Sequence, residues 1–400
     1  MTVATGPQDV ADHGESSSDL IERASVLRPV LRANSPHSDS ERRLADEVVA
    51  AMQDAGLLQV CIPRRYGGHQ ADFTTLFDVT TEIARGDGSA AWVCALINSG
   101  AWMVGTYPRQ AQDDVWRDAP YTRIATVLQP TTNVRRVNGG YVISGTWPYG
   151  SGSLHAQWAN LGFIIDDGGE PSQVLGLVPM GELSIEDTWY VAGMRGSGSN
   201  TIVGNDVFVA DHRIQHFRDL AVDRFATEFV DEVEYRAPFV PIAGLVLAAP
   251  QIGLATAALD FTLEKLPSRA VTYTKYTHGS DSPTNQIGVA EAANAIDIAR
   301  LVAHRACTDI DNAARTSEPL DVRIRARIRM DTATAITMSR NAINTLLSVN
   351  GAGSFATVNP LQQIWRDSET ASRHALINPE IAPEIYGKAL LGVDDMVMPI

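Results

Sequence analysis

Cysteine and lysine are both scarce in this chain of 400 residues, with three cysteines and three lysines against 29 arginines. Cys61, Cys94 and Cys307 are odd in number, far apart and form no CxxC pair. That excludes a disulfide framework and predicts a protein of the reducing cytoplasm. Long apolar runs are missing too. The longest candidate, around Val240–Ala249, contains Pro241, is followed by Pro250, and falls well short of the roughly 20 residues that span a bilayer. No basic segment followed by an apolar one opens the chain, so no secretory signal is expected. Basic charge is in deficit: Lys+Arg 32 against Asp+Glu 47 gives a net charge of −15, and the first 22 residues hold five acids and no Lys or Arg. A non-specific nucleic-acid binder needs a basic face, and a membrane-surface protein a polybasic segment, so neither partner is expected. His212 and His216 lie four apart without an HExxH frame, which predicts surface histidines and no metal. There is no P-loop and no GxSxG elbow. What is present is 44% hydrophobic and 20% charged residues, enough for a sizeable core. The length suggests two or three domains, so a soluble multi-domain enzyme is the expectation.

Residues 1–20 are acidic and Ser-rich and read as a disordered tail. A helical pattern begins at Ser38, where Leu44, Val48, Met52 and Leu57 recur at near-helical spacing and Asp39 or Ser40 can cap it. Further helices are predicted over Phe73–Arg85 and Ser89–Val104, with Pro108 opening a short one. Near Thr122 the period changes. Runs over Ile124–Leu128, Val134–Val137, Tyr141–Ser144, Leu161–Ile165, Val174–Val178 and Ile202–Val209 read as strands, with turns at Asn138-Gly139-Gly140 and Asp166-Asp167-Gly168-Gly169. Long Ala-rich helices return over Ile287–Cys307 and Val322–Val349, with a polar break at 266–284 between two helices. The layout is a helical domain over 21–121, a β domain over 122–236 and a helical bundle over 237–400.

Gly193-Met-Arg-Gly196-Ser-Gly198 has the look of a phosphate loop, but a strand follows where a dinucleotide site needs a helix, so it reads as a turn. The chemically dense stretch is Gly145-Thr-Trp147-Pro-Tyr149-Gly-Ser151-Gly-Ser153-Leu-His155-Ala-Gln-Trp158. Its glycines let a flat ligand approach the backbone, and its indoles, phenol, hydroxyls and imidazole suit one. An aromatic strand end packed over a core has the same composition. A second cluster is Trp365-Arg366-Asp367 with Arg373-His374.

In series, these stretches resemble the acyl-CoA dehydrogenase superfamily. Gly56-Leu57 with Val60-Cys-Ile-Pro63-Arg-Arg-Tyr66-Gly67-Gly68 is similar to its N-terminal helical domain, and Asn138–Thr146 to the strands before its flavin-contact motif. Gly193–Ser199 with the strand to Val209 is similar to the end of its β domain, and Trp365-Arg366-Asp367 to its C-terminal helix signature. The resemblance covers about residues 40–392 and implies a multi-domain α+β fold: an N-terminal α-helical domain, a central antiparallel β-barrel domain and a C-terminal four-helix bundle.

A dehydrogenase of this family needs a carboxylate base for the α-proton of an acyl thioester. The two positions where members carry it correspond to Ala243 and Ala375, and the Arg-x-Gln-Phe-Gly element that helps hold FAD is replaced by Tyr273-Thr-Lys275-Tyr276-Thr-His-Gly. The flavin loop at 145–158, Gly88-Ser89-Ala-Ala-Trp92, Arg373-His374 and Glu384-x-Tyr386-Gly387 resemble instead the two-component flavin-dependent monooxygenases of the same fold. Those enzymes take reduced flavin (FADH2 or FMNH2) from a separate reductase, react it with O2 through a C4a-hydroperoxyflavin, and are commonly homotetramers. The resemblance places Ser151 near flavin N5, Tyr149 and Trp92 against the ring system, and Thr126 and Leu128 at its edge. His374 is the expected acid/base group. Arg373, His155, Asn98 and Ser99 are candidate substrate-binding residues. The predicted reaction is hydroxylation of a hydrophobic aromatic compound such as a phenol, an indole or a polycyclic metabolite. A dehydrogenase with a relocated base, and N- or S-oxygenation, are the alternatives.

Overall fold

A computed structural model describes residues 17–130, 133–166 and 170–400. Five helices come first: α1 (Ser17–Glu41), α2 (Asp46–Asp54), α3 (Phe73–Ala84), α4 (Gly88–Gly105) and α5 (Arg109–Trp116). The expected tail over 1–20 and helix start at Ser38 are corrected here. Ser17–Leu20 already form the first turn of α1, while residues 1–16 lie outside the described residues. Asp39 and Ser40 are the end of α1 rather than a cap for α2, which starts at Asp46. Pro29 and Pro36 inside α1 disguised it as a broken segment, yet Leu20, Ala24 and Leu31 are buried and α1 packs along α3. Asp72 and Asp87 start α3 and α4 in the ordinary way, their carboxylates accepting from Thr75 N at 3.0 Å and Ala90 N at 2.7 Å. α4 is buried on nearly all sides and runs through the interior.

Eight strands follow among the described residues: β1 (Ile124–Val127), β2 (Asn133–Val137), β3 (Gly140–Trp147), β4 (Trp158–Ile165), β5 (Ser172–Pro179), β6 (Ser184–Glu186), β7 (Thr201–Ala210) and β8 (Ile214–His216). They form two four-stranded sheets, ordered β1-β4-β5-β8 and β2-β3-β7-β6. The expected antiparallel barrel is therefore corrected to two open sheets, with β1 and β4 paired in parallel. The β2–β3 hairpin, turning at Asn138-Gly139 with Gly139 at φ 78°, is spent in the other sheet. The chain thus returns to the first sheet in its original direction. Trp147 joins the layers by donating from its indole N–H to Gly162 O at 2.7 Å, and Ile143, Leu161, Phe163 and Val209 fill the space around it. Two short strands, β6 and β8, escaped the sequence reading, and the turn at 166–169 lies largely outside the described residues.

The remaining helices are α6 (Phe217–Leu220), α7 (Phe239–Leu245), α8 (Ala249–Lys265), α9 (Pro283–Thr316), α10 (Val322–Asn350), α11 (Pro360–Ala371) and α12 (Ala382–Leu391). The apolar run around Val240–Ala249 is longer than the sequence reading allowed. Helical structure runs over Phe239–Ser268, long and apolar enough to cross a membrane by length and composition, because Pro250 sits in the first turn of α8 where proline is tolerated. Its apolar window is 89% buried inside the protein, which makes it a core helix. A single core cluster joins residues of α1, α3 and α4 to residues of α7–α10, whereas the sheets enclose a separate one. The two helical regions are thus packed as one body.

Candidate active site

Three separated stretches meet at Trp92, on the first half of α4. The loop from β3 to β4 delivers Ser151, whose Oγ accepts from the Trp92 indole N–H at 3.2 Å. The 3₁₀ turn Ala375–Ile377 behind α11 delivers His374, whose ring meets the Trp92 ring edge-on at 5.7 Å between centroids. His374 Nδ1 accepts from the Leu376 backbone N–H at 3.3 Å, which orients the ring and leaves Nε2 as its outer nitrogen. The residue remains open to water although protein closes around the imidazole on most sides. Burial, with the Arg329 guanidinium second, pushes its pKa below the usual histidine value, so the ring is neutral at pH 7.

Behind Ser151 the polar contacts continue inward. Ser151 Oγ and Ser199 Oγ are 2.6 Å apart, Ser199 Oγ and Ser197 Oγ 2.7 Å apart, and Ser197 Oγ donates to Met194 O at 2.7 Å. All three serines are buried. The loop that carries Ser197 and Ser199 is held by α11. Asp367 accepts from Met194 N at 2.5 Å, and Met194 has a left-handed backbone at φ 56°. A Cβ at Gly193 would come within 2.0 Å of Arg366 O, so only glycine lets the loop lie on the helix. Arg366 reaches across to Asp39 of α1 and to Ala192 O. The Trp365-Arg366-Asp367 signature is thus a clamp on the 190–199 loop. Asp367 is fully buried, and desolvation, backed by Asp87 and Asp39, pushes its pKa up to about 8.

The other expected site residues fall elsewhere or are already engaged. Asn98 is fully buried, donates to Leu57 O at 2.8 Å and Cys94 O at 3.0 Å, and accepts from Cys61 N at 3.2 Å. Those bonds use up its amide and tie α4 to the 57–61 segment. Ser99 donates to Ala95 O at 2.7 Å within α4. Arg373 forms a surface ion pair, its exposed guanidinium lying on Glu369 one turn back along α11. His155 is buried on the α2 side, where burial and then Arg43 and Arg123 push it down to about 4. Tyr149 is 63% exposed and meets Trp189 edge-on, with a left-handed backbone at φ 64° that bends the loop toward Ser151. Thr126 Oγ1 is buried without a partner, beside Gly100 of α4. Leu128, just past β1, spends its carbonyl on Gln173 Nε2 at 2.7 Å.

The sequence reading passed over Ser197 and Ser199. Their only signal was the small-residue run Gly196-Ser-Gly-Ser199, indistinguishable from a plain turn. A cavity of about 80 Å³ lies at the far end of α4, lined by Trp102, Phe73, Ile242 and Asp311. The Asp311 carboxylate there accepts from Phe73 N, Thr74 N and the Thr74 hydroxyl, so the residue is occupied in holding α3.

Residues 24–118 match the acyl-CoA dehydrogenase N-terminal domain family, and residues 245–379 the acyl-CoA dehydrogenase C-terminal domain family. The chain is 32% identical over 375 residues to the flavin-dependent monooxygenase, oxygenase subunit HsaA, of Rhodococcus jostii, covering 93% of this chain and 98% of that one. It is 28% identical to the oxygenase component of an FADH2-dependent resorcinol hydroxylase from a Rhizobium species, with 94% of each chain covered. Among solved structures, XiaF from a Streptomyces species in complex with FADH2 and glycerol superposes with a TM-score of 0.91 at 34% identity, covering 98% of this chain and 100% of that one. The 3-HSA hydroxylase from Rhodococcus sp. RHA1 superposes with a TM-score of 0.88 at 31% identity, covering 96% of this chain and 98% of that one. On fold, site composition and full-length similarity together, the chain belongs to the acyl-CoA dehydrogenase superfamily, in its branch of flavin-dependent monooxygenase oxygenase subunits.

Proposed function

We propose that this protein takes reduced flavin from a separate reductase and uses O2 to hydroxylate a flat hydrophobic aromatic compound. In balance, reduced flavin, O2 and the aromatic C–H give oxidised flavin, water and the phenol. The observation that carries this reading is the Trp92–Ser151–His374 corner, set in a chain whose two family positions for a carboxylate base are Ala243 and Ala375. An indole edge, a hydroxyl with a spare lone pair and a neutral imidazole fit a reduced isoalloxazine and a phenol. They do not fit the proton abstraction that an acyl thioester requires. The flavin, when bound, supplies the oxygen activation. Ser151 would accept a hydrogen bond from the N5 proton of the bound reduced flavin, Trp92 holds Ser151, and His374, neutral at pH 7, would take the proton of a substrate hydroxyl. Thr126 offers its unpartnered hydroxyl at the flavin edge.

FADH2 is the favoured flavin, because XiaF is in complex with FADH2 and the Rhizobium resorcinol hydroxylase is FADH2-dependent. Self-association, as the homotetramer the family resemblance implies, is supported by large apolar side chains left on the helix surfaces, among them Leu263, Ile287 and Leu301. Three free, buried thiols support a cytoplasmic site of action. The deciding experiment mixes the protein with photoreduced FADH2 or FMNH2, O2 and a panel of phenols, indoles and polycyclic aromatics, and scores products by mass. Gain of one oxygen atom on carbon is the expected result. A protein that purifies yellow and bleaches with an acyl-CoA overturns the reading in favour of a dehydrogenase, and a product oxygenated on nitrogen or sulfur redirects it.

A further inference from the structure

The hydroxyl chain behind Ser151 has a fixed direction. Its inner end is the Met194 carbonyl, which can only accept, so Ser197 donates its single proton there. Ser197 can then only accept from Ser199 across their 2.7 Å contact, and Ser199, having given its proton away, can only accept from Ser151 at 2.6 Å. At the outer end the Trp92 indole can only donate, and does so to Ser151. The inner end sets the sense, and the outer end is compatible with it: Trp92 N–H to Ser151, Ser151 to Ser199, Ser199 to Ser197, Ser197 to Met194 O. The Ser151 hydroxyl is left with one lone pair and no proton to offer.

We propose that Ser197 and Ser199 are positioning residues that make Ser151 an obligate acceptor and thereby let the site tell reduced flavin from oxidised flavin. The inference rests on the placement of Ser151 at flavin N5 in the reading above. Reduced flavin carries N–H at N5 and donates to the spare lone pair. Oxidised flavin carries only a lone pair at N5, which faces another lone pair and gains no hydrogen bond. The chain therefore favours the reduced flavin that enters and disfavours the oxidised flavin that must leave. The anchor is the strained Met194 backbone, held by Asp367, whose residue pair with Arg366 clamps the loop onto α11.

The test is equilibrium binding of FADH2 (anaerobic) and FAD to the full-length protein and its Ser→Ala variants. The readout is the ratio of the two dissociation constants, which also sets the midpoint potential of the bound flavin. Ser199→Ala and Ser197→Ala free the Ser151 proton to turn toward N5. Each is expected to tighten FAD binding about three- to tenfold with little change for FADH2, narrowing the ratio. Ser199→Thr keeps the hydroxyl and restores the wild-type ratio, which a purely structural role in the loop does not predict. Ser151→Ala is expected to weaken FADH2 by about the same factor and leave FAD nearly unchanged. If Ser151→Ala alters neither flavin, the placement of Ser151 at N5 fails and the inference with it. If Ser151→Ala weakens FADH2 while Ser199→Ala and Ser197→Ala keep the wild-type ratio, the placement stands and the directional chain is overturned.

Discussion

Two histidines in this protein look alike on paper and differ in place. His155 sits in the 3₁₀ turn Ser153–His155 between β3 and β4, shut in on the α2 side beside Arg43 and Arg123, with its carbonyl held by Arg123 Nε at 2.5 Å. His374 follows α11, keeps access to water and meets Trp92 edge-on. Burial lowers the pKa of both, and nearby arginine lowers it further. The shift alone does not distinguish them. Access does: a neutral imidazole can act on a ligand only where a ligand can reach it, and only His374 meets the Trp92–Ser151 pair.

The widest separation between the two corners should appear on removing each ring. His374→Ala is expected to lower product formation by about 10²–10⁴-fold while leaving the unfolding midpoint close to wild type. His155→Ala instead is expected to lower stability by about 1–3 kcal/mol, read by denaturant titration. Normal product yield in a folded His374→Ala protein, or an equally deep loss in a folded His155→Ala protein, erases the distinction.

Next in size is the pH dependence of stability, where His155 and the Asp367 clamp have opposite signs. Asp367 holds its proton more tightly when folded, at about 8, than an ordinary carboxyl does. Stability from this group is full below the ordinary carboxyl pKa, is lost as pH rises from there with a limiting slope of about 1.4 kcal/mol per pH unit, and the loss is complete once pH has passed about 8. His155, pushed down to about 4, binds its proton more weakly when folded, so its contribution is present above the usual histidine pKa and lost as pH falls toward about 4. Between pH 4 and the usual histidine pKa the two slopes oppose each other, so denaturation followed from pH 4 to 9 is compared between variants: Asp367→Asn should remove the falling limb that ends at about 8, and His155→Phe the rising acid limb. A falling limb of wild-type slope in Asp367→Asn assigns it to another group.

The finest distinction concerns what tunes His374. Arg329 of α10 is buried, with Nη2 on Met398 Sδ at 3.0 Å, and acts on His374 only through its charge. Arg329→Met should raise the His374 pKa toward the usual histidine value and carry the acid limb of the pH–rate profile upward by a fraction of a unit. An unmoved limb leaves burial as the sole cause. Ser151→Ala belongs at the same scale for hydroxylation itself: more H2O2 per flavin oxidised, with product still formed. Unchanged coupling argues against its contact with N5.

The sequence showed much of the helical and strand order because that order depends on local periodicity. The helices over 73–84, 88–105 and 322–350 carry side-chain caps and amphipathic or continuous burial that can be read along the chain. Trp92, Ser151 and His374 were legible as chemistry, through their residue types and the family resemblance. Asn98 and Arg373 were equally legible as polar residues, but their partners, Leu57, Cys94 and Glu369, were not, because a buried amide and an exposed guanidinium look alike along the chain.

What the residues alone determined was therefore the class of protein and the kind of chemistry: acidic, thiol-poor, helix then strand then helix, with alanine where a dehydrogenase needs an acid. What only the tertiary structure decided was connectivity across long separations. Open sheets replace the expected barrel because hydrogen bonds choose partners in space. The direction of the Ser151–Ser199–Ser197 chain is set by a carbonyl whose own residue is held by the carboxyl group of Asp367, 173 residues further along the chain. At the outer end an indole 59 residues away from Ser151 occupies one of its lone pairs. A hydroxyl has no preferred direction of its own; its surroundings assign one.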